Sequence, residues 1–225
     1  MLGLWYPPPY RQLMGGQHLF WILVGVDAVC GPLLTAILFN PQKSQRMLRL
    51  DLTLVALIQL AALVYGMHSI GEARPVVLAF EVDRFVAVAA RQVQATPPTQ
   101  STVPYQLSWN GPELVGIREP KDGAEALSSI NLSLQGVEPS ARPGWWQPYE
   151  ASKPDVKLRM RPLSFLRDRQ RPEEQAIIDA AIKTNKLHLA QTYYLPLVSE
   201  KSLDQWIALL DGEAHIIGYA PVGGF

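Results

Sequence analysis

The amino-acid sequence predicts a membrane protein in which a two-helix transmembrane hairpin precedes an extracytoplasmic α+β domain with a C-terminal β-hairpin. Two apolar stretches, residues 19–39 and 52–71, contain a single charged side chain, Asp27, and each has roughly the 20 residues that a helix needs to cross a bilayer. The rest of the chain mixes strand-like and helical patterns. It ends in two apolar runs joined at Asp211-Gly212, which is a strong hairpin signal.

The charge balance separates the same two parts of the chain. The 225 residues carry 20 basic and 20 acidic side chains, and 48% are hydrophobic, which as an average describes a soluble protein. Residues 1–71 contain four basic and two acidic side chains, whereas residues 72–225 contain 16 and 18. Neither part has the basic excess of a nucleic-acid-binding domain, so we expect no nucleic-acid partner.

The membrane part divides into an N-terminal lead and a hairpin. The lead, residues 1–18, contains the sequence WYPPPY, whose aromatic side chains suit the headgroup level of a bilayer; an ordinary disordered terminus is the alternative. The first apolar stretch is long and starts well after Met1, so we interpret it as a span and not as a cleaved signal peptide. The hairpin therefore comprises residues 19–71.

The loop of this hairpin, residues 40–51, predicts the orientation. It contains Lys43, Arg46 and Arg49, and loops rich in basic residues tend to lie in the cytoplasm. We therefore expect residues 72–225 to form a periplasmic domain.

One carboxyl group, Asp27, lies near the middle of the first span. A charge at that depth costs several kcal/mol unless it is paired or protonated, so Asp27 marks either a functional contact or a hydrogen-bonded structural one. The helical rise places Tyr65 at the same depth on the second span and predicts an Asp27–Tyr65 hydrogen bond. Gly31-Pro32 predicts a kink, which is either structural or a place where another helix approaches. The candidate membrane-contact residues are Asp27, Gly31, Pro32 and Tyr65.

The domain is predicted to contain both strands and helices. β-Branched and aromatic enrichment predicts strands at residues 76–90 (two strands that turn at 81–84), 105–109, 113–118, 192–198, 205–210 and 214–220. Helices are predicted at 122–134 and at 172–184, the second because Pro172 and two acidic residues open it. The order of the strands is left open.

Two segments of the domain are candidates for external contacts. Residues 138–154 contain four prolines and the pair Trp145-Trp146, which predicts a loop that packs over the core or, alternatively, binds a partner. Residues 157–171 contain six basic side chains and one acidic, typical of a solvated face; the alternative is a contact with lipid head groups or an acidic partner. The candidate contact residues are Trp145, Trp146, Arg159, Arg161, Arg167 and Arg169.

Catalytic and metal-binding motifs are missing from the sequence. We find no G-x-S-x-G, P-loop, H-E-x-x-H or G-x-G-x-x-G motif, and the four histidines lack metal-ligand spacing. The single cysteine, Cys30, lies within the first apolar stretch. We therefore expect no enzyme activity, cofactor, metal or small-molecule substrate, with a carboxylate site assembled from distant residues as the remaining alternative.

An ordered series of short motifs resembles the TfpX/TfpZ-type type IV pilin accessory proteins. The series consists of WYP at residues 5–7, GVD at 25–27, GPLLT at 31–35, FNP at 39–41, KS at 43–44, LDL at 50–52, QLAAL at 59–63, YG at 65–66, ARP at 73–75 and FEVDRF at 80–85. The match is dense over residues 5–90 and looser beyond.

The resemblance implies a non-enzymatic protein of the bacterial inner membrane that acts on the major pilin as a chaperone-like or assembly-modulating partner. It supplies no established active site to transfer. Members usually have a further membrane helix before the WYP motif, so we expect this chain to be one helix shorter, as a truncated gene model or a true variant. The alternative function is a membrane-anchored envelope sensor or structural binding module.

Overall fold

Two long apolar helices lead into a domain built on one mixed β-sheet. The computed structural model describes residues 2–38, 44–94 and 107–225. The helices of the first part are α1 (Leu2–Trp5), α2 (Tyr10–Leu13), α3 (Gly16–Leu38) and α4 (Gln45–Glu72). Both α3 and α4 are long and apolar enough to cross a bilayer, and the rest of the protein covers almost none of their surface. The two apolar helices predicted from the sequence are confirmed as helices.

Helix α4 begins seven residues before the predicted start of the second span. The Ser44 hydroxyl caps it by accepting a hydrogen bond from the Met47 amide (3.4 Å), and the residues that follow are good helix formers. Arg46 and Arg49 therefore lie in the first two turns of α4 and not in a loop, whereas Lys43 lies outside the described residues.

The domain contains eight described strands in a single sheet. They are β1 (Pro75–Glu81), β2 (Arg84–Ala89), β3 (Glu113–Ile117), β4 (Trp146–Pro148), β5 (Arg161–Pro162), β6 (Tyr193–Ser199), β7 (Ile207–Leu210) and β8 (Ile216–Ala220). The order is β4-β3-β1-β2-β6-β7-β8, and β5 pairs with the start of β6. The pairs β1–β3 and β2–β6 are parallel, and the remaining pairs are antiparallel.

Most of the predicted strands are confirmed, and the C-terminal hairpin is present between β7 and β8. Its turn is fixed by the Asp211 carboxylate, which accepts hydrogen bonds from the amides of Glu213 (2.9 Å) and His215 (2.8 Å). The strand predicted at 105–109 is wrong in its described part, residues 107–109, which belong to no strand. There the Ser108 carbonyl accepts a hydrogen bond from the Arg74 side chain (3.2 Å) and does not take part in a ladder.

Four α-helices of the described part of the domain lie between β3 and β6 along the chain. They are α5 (Gly123–Leu134), α6 (Tyr149–Arg159), α7 (Leu163–Arg169) and α8 (Pro172–Thr184). The predicted helices at 122–134 and 172–184 are confirmed. Prolines concealed α6 and α7 in the sequence, because Pro148 and Pro162 are the residues that precede their first turns and Pro154 lies inside α6.

The two faces of the sheet have separate covers. On one face, Leu78, Phe85 and Leu197 pack with the N-terminal lead and with α6. The other face is covered over β1 and β3 by residues 139–146, and over β6 to β8 by α7 and α8. Alternate residues of each strand enter the two covers, as expected for a sheet that is buried on both sides.

The sheet has a proximal and a distal end relative to the apolar helices. Strand β1 starts three residues after α4, and its seven residues span about 20 Å, so the β1–β2 turn lies far from α4. We call that end the distal end; it comprises the turn at 82–83, residues 117–120, the end of α6 and β5. At the proximal end, α1 to α4 meet the sheet.

Candidate interaction surfaces

The apolar helices α3 and α4 pack against each other in antiparallel directions through glycines. A Cβ atom at Gly31 would overlap the Gln59 amide of α4, and one at Gly66 would overlap Leu23 of α3. These two contacts fix the register of the helix pair. Gly31, one of the predicted membrane-contact residues, is therefore in contact with the second helix of its own hairpin.

Asp27 and Tyr65 do not meet. Asp27 is partly buried on the side of α3 that faces α4, and it makes no hydrogen bond or ion pair with the described residues. Tyr65 is 74% exposed. The predicted Asp27–Tyr65 hydrogen bond is wrong because the helical rise gives only depth. A helix also turns by about 100° per residue, so Tyr65 points away from the seam that its neighbour Gly66 occupies.

Pro32 lies inside α3, which continues through it to Leu38. Since proline has no N–H, the Ala28 carbonyl loses its helical donor at this point. The Thr35 hydroxyl donates a hydrogen bond to the Gly31 carbonyl (2.9 Å), so it does not replace the donor that the Ala28 carbonyl loses. Pro32 itself is exposed on the outside of the pair, and the kink stays a prediction.

Apolar side chains cover the outside of both long helices. Those most exposed include Trp21, Val29, Ile37, Leu50, Leu57 and Leu60. A helix that is apolar on all sides is typical of a membrane span or of a helix covered by other helices. Either environment would bury the surface that the sheet domain leaves uncovered.

At the proximal end, the N-terminal lead is part of the core. Tyr6 is fully buried, and its hydroxyl donates a hydrogen bond to the Ile70 carbonyl at the end of α4 (2.9 Å). Burial raises the pKa of Tyr6 to about 12. Gly16 allows this approach, since a Cβ there would lie 2.6 Å from the Tyr6 ring. Tyr6 thus joins the start of α3 to the end of α4.

The same lead is also bonded to the far strands of the sheet. The hydroxyls of Tyr10 and Tyr219 lie 3.2 Å apart, and the Ser199 hydroxyl donates to the Leu13 carbonyl (2.8 Å). Burial raises the pKa of Tyr10 well above its ordinary range. Tyr6 and Tyr10 therefore pack against the sheet, and the headgroup-level position of the lead stays a prediction.

At the distal end, the turn between β1 and β2 has a strained backbone. Val82 has φ of 60°, which is a left-handed conformation that β-branched residues rarely adopt. Two-residue hairpin turns that need a positive φ usually contain Gly, Asn or Asp, and strain of this kind costs about 1–3 kcal/mol. The Val82 side chain is also 72% exposed, so burial does not offset that cost.

Two clefts flank this turn, and Glu81 and Val82 line both. The first, of about 650 Å³, has Trp145 and Ile117 among its lining residues and Leu158 at the end of α6. The second, of about 610 Å³, lies over β2 and β6 on the side of the 136–141 segment. Around the first cleft, Leu158 is 81% exposed and Ile130 of α5 is 56% exposed. The first cleft therefore has an apolar rim that projects into solvent.

The tryptophan pair, predicted to pack over the core or alternatively to bind a partner, divides into two roles. Trp146 is 3% exposed, and its indole N–H donates to the Ser140 carbonyl (2.9 Å), so it is a core residue. Trp145 is half-buried, and the guanidinium groups of Arg118 and Arg142 lie 4.7 and 4.9 Å from its ring centre. The packing interpretation holds for Trp146, while Trp145 retains a surface in the first cleft.

The predicted basic contact residues also differ in their surroundings. Arg167 donates two hydrogen bonds to Asp179 (2.7 and 2.8 Å), and the Arg169 guanidinium lies 3.9 Å from the Phe165 ring centre. Arg159 and Arg161 are exposed and form no ion pair with the described residues. Of the two, Arg159 lines the first cleft.

Two carboxyl groups near the distal end have shifted pKa values in opposite directions. Burial raises the pKa of Glu81 at the end of β1, despite hydrogen bonding from Ser140. The Arg118 guanidinium holds the pKa of Glu125 at about 2 through two hydrogen bonds (2.6 and 2.9 Å). This pair attaches the first turn of α5 to the chain that leaves β3.

Sequence reasoning missed the apolar rim of the first cleft. The available signals were an apolar β-branched residue in a turn, Val82, and a leucine between basic residues, Leu158. Among the described residues, no group of three or more His, Cys, Asp or Glu side chains is placed to hold a metal ion.

The fold and these surfaces define a class of protein with two exposed apolar helices joined through buried contacts to an α+β domain. The chain is 32% identical to the fimbrial assembly protein of serogroup I from Dichelobacter nodosus, over 99% of this chain and 86% of the relative. It is 31% identical to the serogroup E1 protein with the same coverage, and 50% identical over 80 residues to the protein of serogroups C1 and C2. The chain belongs to this family of fimbrial assembly proteins. No family model and no solved structure matches it.

Proposed function

We propose that this protein is a TfpX/TfpZ-type accessory of type IV fimbriae in the bacterial inner membrane, where it acts on the major pilin as a chaperone-like or assembly-modulating partner. The observation that carries the proposal is the match to fimbrial assembly proteins over nearly the whole chain, helices and domain together. The action is proposed to be binding without catalysis and without a cofactor.

In this proposal α3 and α4 cross the bilayer and the sheet domain lies in the periplasm. Support comes from the length of the two helices and from their uncovered apolar surfaces. Arg46 and Arg49, at the start of α4, are on the opposite end of the helix pair from the domain, as cytoplasmic basic residues would be. Reporter fusions after Leu38 and at the C-terminus test this orientation, and a cytoplasmic C-terminus would contradict it.

The helix pair is proposed to contact the membrane segment of the pilin. Asp27 lies partly open on the seam near Gly31 and has no partner among the described residues, so a third helix could supply one. Photo-crosslinking from positions next to Asp27 on α3, with Arg46 on α4 as a control position outside the bilayer, should capture pilin from α3 only.

A chromosomal deletion tests the function as a whole. Loss of the protein should reduce or alter surface fimbriae and twitching, and the full chain supplied from a plasmid should restore both. Unchanged pilin level, fimbriation and twitching in the deletion strain would sink the proposal.

The alternative, an anchored envelope sensor or structural module, depends on the tryptophan pair and the basic run as contacts. Trp146 is buried, and Arg167 and Arg169 are engaged within the domain. These contacts leave the alternative with less support than the fimbrial role.

A further inference from the structure

The distal end of the domain combines three features: a strained turn, exposed apolar side chains and a cleft that these side chains share. Val82 holds a strained conformation while its side chain projects into solvent. Ile130 and Leu158 are also exposed, and they share a cleft of about 650 Å³ with Val82. Exposed apolar groups that gather around one cleft mark an interaction site more often than scattered ones do.

The position of this cleft decides between lipid and protein as its occupant. The β1–β2 turn is separated from the end of α4 by the length of β1, which is about 20 Å. If α3 and α4 cross the bilayer, as the proposed function requires, the distal end faces away from that bilayer. A protein segment is therefore the occupant that can reach an apolar rim at this height.

The charges beside the cleft specify the partner further. The basic run contains six cations, and four of them are engaged: Lys157 with Glu213, Arg167 with Asp179, Arg171 with Glu174, and Arg169 over Phe165. The other two, Arg159 and Arg161, make no ion pair and no ring contact with the described residues, and they lie at the end of α6 and in β5, next to Leu158. Glu81, Glu119 and Asp155 line the cleft together with Arg118 and Arg159, and Arg118 is paired with Glu125, so the unpaired positive charge lies only at the edge of the cleft where α6 ends.

We infer that the distal end of the domain is a docking site for an apolar segment of a partner protein that carries an acidic side chain beside its apolar residues. The apolar residue enters the cleft between Val82 and Leu158, and the acidic group pairs with Arg159 or Arg161. The inference rests on the proposed function, which makes the fimbrial subunit the partner.

The test measures binding of the full chain, held in lipid nanodiscs, to purified major fimbrial subunit from the same bacterium. Val82→Gly keeps the turn, because glycine adopts a positive φ without strain, and removes the apolar side chain. Leu158→Asp places a charge at the other side of the cleft. We expect each to weaken binding at least tenfold, while Leu203→Asp, at a leucine that is 71% exposed and lines the second cleft but not the first, leaves binding within twofold.

The second part of the test asks whether the two arginines pair with the partner, and it uses the double variant Arg159→Glu, Arg161→Glu. This variant should bind more weakly than the wild type and should lose most of the salt dependence of binding. The matched control is Arg169→Glu, on the same basic run, which should keep both.

The outcomes separate this inference from the proposed function. If the wild type binds the subunit and the cleft variants bind equally well, the distal site is wrong and the fimbrial role stands. If the wild type fails to bind the subunit, both are overturned. Self-association of the chain that the cleft variants abolish would assign the surface to a second copy and would also overturn the inference.

Discussion

The two ends of the sheet differ in whether their characteristic side chains are buried or exposed. At the proximal end, Tyr6 and Tyr10 are buried, and Ser199 is bonded to the backbone of the lead. At the distal end, Val82 and Leu158 project into solvent from a turn and a helix end. The difference indicates that the proximal end is a fixed joint between the helices and the domain, whereas the distal end is free to bind.

The contacts at the proximal end also limit how far the distal end can move relative to the apolar helices. Because Tyr6 connects α4 to the lead, and the lead connects to the last strands of the sheet, the domain cannot swing freely on the apolar helices. The distal surface is then held at a constant height above those helices. Breaking the joint should therefore cost much more stability than changing the free end.

The largest effect is expected from Tyr6→Ala. The substitution removes a fully buried ring and the donor to the Ile70 carbonyl, so the free energy of unfolding should fall by about 3–5 kcal/mol. Denaturation of the protein in detergent micelles, followed by tryptophan fluorescence, measures this loss. Tyr6→Phe is the control, because it keeps the ring and should cost only about 0.5–1.5 kcal/mol. A loss below about 1 kcal/mol for Tyr6→Ala would show that the lead is not part of the joint.

A smaller loss is expected from Ser199→Ala. The hydroxyl donates to the Leu13 carbonyl (2.8 Å) and accepts from the Ser202 amide (3.2 Å), and the serine is 3% exposed. Leaving these buried groups unpaired should reduce the free energy of unfolding by about 1–3 kcal/mol. Ser128→Ala, at an exposed serine of α5, should change it by less than about 0.5 kcal/mol. Equal effects of the two substitutions would contradict the contrast between the ends.

At the free end, a substitution should stabilise the protein. Val82→Gly relieves a left-handed valine, and after the entropy that glycine adds to the unfolded chain, the free energy of unfolding should rise by about 1 kcal/mol. The control is glycine at Asp83, which is not among the described residues with positive φ, and it should be destabilising. If Val82→Gly also destabilises the protein, the valine is not strained and the turn is an ordinary structural one.

These contrasts also explain what the sequence could and could not predict. Local signals predicted their elements correctly: Asp211-Gly212 marks the hairpin, and Pro172 opens α8. An aromatic lead has the same composition whether it lies among head groups or in a core. Only the tertiary structure could therefore place Tyr6.

In the candidate sites, too, the composition of a segment does not show which side chains are buried or paired. Two adjacent tryptophans cannot be told apart by composition, yet Trp145 ends a single 3₁₀ turn and stays near the surface, whereas Trp146 begins β4 and enters the core. Arginines in one basic run differ only in which acid reaches them, as Asp179 reaches Arg167. The exposed rim around Val82 depends on strands and helices that are distant in sequence.

The smallest expected effect is a response of the distal end to acid that the proximal end lacks. The Arg118 guanidinium lowers the pKa of Glu125 from its ordinary 4.5 to about 2 in the folded protein. Because the folded pKa is the lower one, the pair stabilises the start of α5 above pH 4.5, and that contribution is lost as the pH falls from about 4.5 towards 2. The proximal contacts of Tyr6 and Ser199 contain no group that titrates in this range. Once the pH dependence of intrinsic exchange is divided out, the protection of the α5 amides should therefore fall on acidification, whereas the protection around Tyr6 should stay unchanged. In Glu125→Gln, the protection of α5 should depend less on pH than in the wild type, with the Asp122 cap still in place, and a Glu125 carboxyl that titrates near 4.5 in the wild type would contradict the ion pair.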